Sequence, residues 1–233
     1  MLEELKKRVC DANLALVEKG LVIETWGNVS GVNREKNIVA IKPSGVNYNS
    51  LRPEDIVLID LNDGKKVEGA LRPSSDTQTH LVLYRAFSEI GGVAHTHSTY
   101  ATSWAQSQRP IPLLGTTHAD YSPTAIPCTD IMVDEAIRGD YEVETGKQIL
   151  ATFQGGQYDY KYTPMVLVAS HGPFTWGETP EKAVYHSNVL EQVAKMAQFT
   201  LSINPGVKEM KKSLRDKHFY RKHGENANYG QKN

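Results

Sequence analysis

One short stretch constrains this chain more than any other. Val93-Ala94-His95-Thr96-His97-Ser98 is a His-x-His pair at the end of an apolar run. Residues two apart on a strand point to the same face. If the run is a strand, the two imidazoles project side by side and aim two nitrogens at one point. Imidazole is the commonest metal ligand in proteins. The pair therefore poses a metal site against the plainer alternative of two polar histidines at a strand end.

The chain has 233 residues, enough for one sizeable domain and short for two. Its 26 Lys and Arg against 27 Asp and Glu leave a net charge of -1. No overall basic field favours nucleic acid or an anionic membrane. Cys10 and Cys128 stand far apart and in no metal spacing. They argue against a disulfide framework and a thiolate zinc site, and they fit a reducing compartment. The first residues lack the apolar core of a signal peptide. No apolar run approaches the roughly 20 residues of a membrane span. The expectation is a soluble, cytoplasmic protein without internal repeats.

Taken in order, residues 2 to 19 carry Leu2, Leu5, Val9, Ala12, Leu16 and Val17 at helical spacing, with Gly20 as a stop. Residues 21 to 60 look β-rich: Leu21-Val22-Ile23, Ile38-Val39-Ala40-Ile41 and Ile56-Val57-Leu58-Ile59 are separated or followed by turn residues. Asp63-Gly64 is a hairpin signal. A helix starts near Ser75-Asp76 and ends at Gly91-Gly92, after which the His-x-His strand follows. Further helices are predicted over 98–107, 134–138 and 145–153, the last with Thr145 as a candidate cap. The stretch 115–121 reads as a polar loop. Met165-Val166-Leu167-Val168-Ala169 is a buried-type strand leading into Ser170-His171-Gly172-Pro173. Thr179-Pro180-Glu181 opens a helix to about 202 with a cap, a first-position proline and a first-turn acid. The tail, 207–233, is basic and polar. Strands interleaved with helices, without a strict βαβ rhythm, predict an α/β protein with a largely antiparallel or mixed sheet covered by helices.

Of the eight histidines, His171 stands out with the pair. It ends an apolar strand, and a third nitrogen from a second strand end would complete a three-histidine site with an open position, the catalytic type. Asp76 precedes the His-x-His strand by one helix. Its carboxylate is either a fourth ligand or an ordinary helix cap, and spacing alone favours the cap. Gly27-Asn28, Ser44-Gly45 and Ser74-Ser75 are small polar turn pairs that expose N–H groups and hydroxyls to an anion. No Walker or GxGxxG pattern indicates a nucleotide. Asp120 and Tyr229 are candidates for proton transfer. Locally, Asp120 reads as a solvated loop carboxylate, and Tyr229 reads equally as a tail residue packed on the surface.

Several stretches together resemble one family. They are Thr25-Trp26-Gly27-Asn28-Val29-Ser30, Lys42-Pro43-Ser44-Gly45, Pro73-Ser74-Ser75-Asp76-Thr77, His95-Thr96-His97-Ser98, Gly115-Thr116-Thr117-His118-Ala119-Asp120-Tyr121, Ser170-His171-Gly172-Pro173-Phe174 and Lys222-His223-Gly224 with Tyr229-Gly230-Gln231. Spread over essentially the whole chain, they resemble the class II aldolase/adducin-head superfamily, and within it the L-ribulose-5-phosphate 4-epimerases. Residues 154–163 resemble the family least, read as a variable loop, and touch none of the matched site residues.

The resemblance implies a three-layer α/β/α domain with a central, largely antiparallel sheet. It implies a homotetramer with active sites between subunits, the tail from about 207 to 233 reaching a neighbour's site. It implies one zinc ion per subunit on Asp76, His95, His97 and His171. A sugar phosphate would meet Gly27, Asn28, Ser44, Gly45, Ser74 and Ser75. Asp120 and Tyr229 match the acid/base pair, and His218 matches an accessory position nearby. The implied reaction interconverts L-ribulose 5-phosphate and D-xylulose 5-phosphate, a step used in arabinose and ascorbate breakdown. The alternatives are a class II sugar-phosphate aldolase that releases its products, an adducin-like binding module, and, more distantly, a metal-dependent phosphatase.

Overall fold

The computed structural model describes residues 2–223 and 227. The chain opens with helix α1 (Leu2–Glu18) and runs through strands β1 (Asn28–Asn33), β2 (Ile38–Ile41), β3 (Val57–Asp60) and β4 (Lys66–Glu68). Helix α2 (Thr77–Ala86), strand β5 (Gly92–His95) and helices α3 (Thr99–Gln106), α4 (Thr116–Ala119), α5 (Asp134–Arg138) and α6 (Tyr141–Gln154) follow. The hairpin β6 (Met165–Val168) and β7 (Gly172–Gly177) leads to the long helix α7 (Pro180–Ile203) and then α8 (Lys212–His223). The strands form one sheet in the order β4-β3-β2-β1-β5-β7-β6, every neighbouring pair antiparallel.

The two faces of this sheet are read off the alternation of its apolar runs. In β2, Ile38 and Ala40 join α1 and α7 on one face, while Val39 and Ile41 join α2 on the other. In β3, Leu58 faces the first layer and Val57 and Ile59 the second. A run such as Ile38-Val39-Ala40-Ile41 is apolar at every position because helices cover both faces, which removes the need for a polar side. The result is the expected α/β/α sandwich. At the crossing of α2 and α6, a Cβ on Gly146 would lie 2.6 Å from Val82, so only glycine permits the approach. Thr179 caps α7 by accepting from the Lys182 N–H at 3.2 Å.

Three expectations need correction. Leu21-Val22-Ile23 is no strand: it lies between positive-φ residues Gly20 and Glu24, too short a run to build a ladder, with Leu21 packed in the core and Ile23 exposed. The helix predicted from 145 begins at Tyr141, and Thr145 is buried inside it, donating to the Tyr141 carbonyl at 2.8 Å rather than capping. The 115–121 loop contains the single turn α4. His171 follows the apolar strand β6 as expected and sits in the turn of the β6–β7 hairpin, whose second strand is an inner one. Within the basic tail, Lys212–His223 forms α8, with Phe219 buried against Tyr162 and stacked on His223. Among the described residues no helix is long and apolar enough to cross a membrane.

Candidate active site

Strand pairing assembles the imidazoles. His95 is the last residue of β5 and pairs with Phe174 of β7, so the β6–β7 turn carrying His171 lies beside it. The ring centroids stand 4.8 Å apart for His95 and His97, 4.7 Å for His95 and His171, and 5.2 Å for His97 and His171. Each offers a nitrogen, and these atoms all lie within 4.8 Å of one another. His95 Nδ1 donates to the Pro173 carbonyl at 2.9 Å. A carbonyl only accepts, so Nδ1 carries the proton and the Nε2 lone pair is left for the cluster, where it meets His97 Nε2 at 3.1 Å. Burial, with His95 and His97 adding to it, pushes His171 down to about 4. Burial also lowers His97. Neutral imidazoles with converging lone pairs are the form that binds a cation.

Asp76 sits at the start of α2, yet its carboxylate makes no cap bond. It accepts instead from the Asn28 side-chain amide at 2.6 Å. Burial alone would raise its pKa, but the neighbouring His95 and His80, the Asn28 amide and His171 outweigh that and hold the carboxyl below the usual range. Asp76 is thus an anion facing the imidazoles. The three converging histidines suit a divalent cation, and Asp76 lines the same cleft.

One cleft of about 650 Å³ holds this cluster together with the small polar turns. Gly27, Asn28, Ser44, Gly45, Ser74, Ser75, Asp76, His95, His97 and His171 all line it. Gly27 has φ +85, and a Cβ there would lie 2.7 Å from the His95 carbonyl, so the turn sits tight against the strand that carries the imidazole. The Tyr48 hydroxyl lies 2.8 Å from the Gly27 carbonyl and 3.1 Å from that of Trp26.

Other lining residues were not singled out as site residues from the sequence, among them Lys42, Tyr141 and Glu142. Lys42 is 1% exposed, with Nζ 4.7 Å above the Tyr48 ring, and burial pushes its pKa down to about 8. A lysine that ends an apolar strand and precedes Pro-Ser-Gly was the available signal. Tyr141 lay outside the predicted helix.

Asp120 does not line this cleft. It lines a second one, of about 540 Å³, with Tyr121, Tyr160, Lys161 and Lys222. Tyr160 and Lys161, from the stretch that resembles the family least, share this cavity with Asp120. Asp120 accepts from Arg221 Nη2 at 2.9 and 3.0 Å and stands 3.1 Å from His218 Nδ1 and 3.2 Å from Lys222 Nζ. Burial alone would raise its pKa. The bonds from Arg221, His218 and Lys222 outweigh it and keep the carboxyl below its usual range. Tyr229 lies outside the described residues.

An antiparallel seven-stranded sheet between helical layers, with three imidazoles gathered at its strand ends, defines a class II aldolase fold. The L-fuculose 1-phosphate aldolase structure aligns with a TM-score of 0.75 at 26% identity, covering 92% of this chain and 94% of that one. The enzyme of the same name from Glaciozyma antarctica PI12 shares the fold, with a TM-score of 0.74 at 17% identity, over 97% of this chain and 84% of that one. The chain belongs to the class II aldolase and adducin N-terminal domain family, whose model matches residues 7–198. Within it, the chain is 51% identical over 231 residues to the L-ribulose-5-phosphate 4-epimerase UlaF of Salmonella paratyphi A, spanning 99% of this chain and all of that one. The protein of that name from Salmonella typhi matches to the same extent.

Proposed function

We propose that the protein interconverts L-ribulose 5-phosphate and D-xylulose 5-phosphate, using a zinc ion held by His95, His97, His171 and Asp76. The observation that carries this reading is a single cleft in which converging imidazoles share the wall with small polar turns. Full-length similarity at 51% to proteins named as this epimerase supports the substrate. An adducin-like binding module would have no need of an intact imidazole cluster.

The chemistry follows from the substrate. C4 is not next to the carbonyl, so its C–H is not acidic and direct deprotonation is very hard. Breaking C3–C4 is the alternative. A base takes the C4 hydroxyl proton, the C3–C4 electron pair passes to C3 and spreads toward the C2 carbonyl, and the fragments are dihydroxyacetone enediolate and glycolaldehyde phosphate. A divalent cation supplies the Lewis acidity that this negative charge needs. Ser44, Gly45, Ser74 and Ser75, with the Lys42 ammonium, retain the phosphate while the aldehyde turns its other face. Gly27 and Asn28 hold sugar oxygens. The C–C bond then re-forms with C4 inverted.

Inversion needs a proton-handling group on each face of the aldehyde. Asp120 and Tyr229 take these roles, with His218 holding the Asp120 carboxylate. Asp120 and the imidazoles line separate clefts of one chain. Their joint action is therefore assigned to neighbouring copies in a homotetramer, with sites at the subunit interfaces.

The similarity to L-fuculose 1-phosphate aldolase sustains a second reading, an aldolase that releases its fragments. Incubation with L-ribulose 5-phosphate separates the two. A coupled assay for D-xylulose 5-phosphate is expected to respond, with negligible free dihydroxyacetone. Stoichiometric dihydroxyacetone release would favour the aldolase.

A further inference from the structure

Tyr141 opens α6 and faces the cleft beside the imidazoles. Its hydroxyl stands 3.3 Å from His171 Nδ1, with ring centroids 6.2 Å apart. The setting of α6 is firm, because the glycine crossing with α2 ties it to the helix whose start carries Asp76. His171 itself sits in a hairpin turn after Ser170, which has φ 61. Its ring is not held by a strand, as His95 is. The nearby phenol is the group placed to hold it.

A phenol can donate to an imidazole nitrogen or accept from an imidazole N–H, and the two options differ in consequence. If the phenol donates to Nδ1, the ring proton sits on Nε2 and no lone pair is left free for a cation. If Nδ1–H donates to the phenol oxygen, the Nε2 lone pair is left free for a cation. The phenol proton is then free to point into the cleft.

We infer that Tyr141 is a positioning residue for His171: it selects the tautomer with Nε2 free and, once that tautomer is set, offers its own O–H to an oxygen of the bound sugar. This rests on the proposed ligand role of His171. Partners that fix the far nitrogen of a ligating histidine typically change metal affinity by about 10- to 100-fold when removed.

The test compares metal-stripped wild type, Tyr141→Phe and His171→Asn. Zinc affinity is read by competition with a chromophoric chelator, and the visible spectrum is read after cobalt loading. Tyr141→Phe keeps the ring and its packing, so its thermal unfolding in the metal-free state should match wild type. Its zinc affinity is expected to fall about ten-fold or more, with a shifted cobalt spectrum. His171→Asn is expected to lose tight binding. Tight zinc binding by His171→Asn would overturn the ligand reading itself. Loss of binding in His171→Asn with wild-type affinity and cobalt spectrum in Tyr141→Phe would leave that reading standing and overturn the role given to Tyr141.

Discussion

The side-chain amide of Asn28 donates to Asp76 Oδ2 at 2.6 Å, and the same nitrogen stands 3.1 Å from Ser74 Oγ. One residue of β1 thus links the carboxylate beside the imidazoles to the serine turn. Its other atom, Oδ1, is buried without a partner among the described residues, an acceptor open to a sugar hydroxyl. A hydrogen bond to a charged group contributes about 1.5–3 kcal/mol. Asn28→Ala is therefore expected to weaken zinc binding roughly ten-fold or more and to raise KM. Chelator competition and initial rates would check it. Unchanged values in both would remove Asn28 from the site.

Lys42 gives the cleft a charge that depends on pH. Burial pushes its pKa down to about 8. Below that value it is an ammonium that attracts a phosphate dianion, and above it a neutral amine. KM for L-ribulose 5-phosphate should be flat below about pH 8 and then rise roughly ten-fold per unit. Lys42→Met should raise KM throughout and flatten the profile. A wild-type KM that stays constant to about pH 9.5 would contradict the assignment.

Two histidines away from the cluster make stability depend on acid. His118 donates to the Thr124 carbonyl at 3.0 Å and His186 to the Trp176 carbonyl at 2.6 Å, and burial pushes both from 6.5 down to about 4. Between those values the unfolded chain binds protons that the native chain refuses. Stability is therefore full above 6.5 and lost as pH falls toward 4. Each group contributes a slope of up to about 1.4 kcal/mol per pH unit. Urea midpoints of the metal-free protein should drop between about pH 7 and 5. His118→Gln, whose amide can still donate, should flatten part of that slope. An equally steep slope in His118→Gln would assign it to other groups.

Asp120 is held by α8 of its own chain, in a cleft apart from the imidazoles. Asp120→Asn and Tyr229→Phe should each lower turnover by about 10²-fold or more while leaving zinc bound. Co-assembly of His97→Asn with Asp120→Asn chains is the sharper measurement. If sites are shared between neighbours, random mixing restores about a quarter of them. Mixed assemblies no more active than either variant would place the whole site within one chain.

Much of this molecule was legible in its sequence because local chemistry and tertiary role coincide. Thr179-Pro180-Glu181 marks the start of α7 by capping alone, and the His-x-His pair and the serine turns needed only a sheet to bring them together. The residues that escaped are those whose role comes from packing. Gly172-Pro173 opens β7 with two poor strand formers, yet the strand is central because β5 and β6 flank it. Tyr141 and Glu142 precede the apolar part of α6 and reach the cleft only through the glycine crossing with α2. Helix α8 is almost wholly polar, and Phe219 and the Asp120 contacts anchor it rather than a hydrophobic stripe. Lys42 reads as a surface lysine until the strand beneath it is seen to be covered on both faces.

Inversion of C4 by breaking and re-forming C3–C4 at the imidazole site leaves an isotopic signature. It is tested most directly by incubating zinc-loaded protein with L-ribulose 5-phosphate in deuterated water and following the products by NMR. The expected product is D-xylulose 5-phosphate that retains protium at C4, with formation abolished by chelation and restored by zinc. Deuterium at C4, or undiminished turnover after complete metal removal, would contradict it.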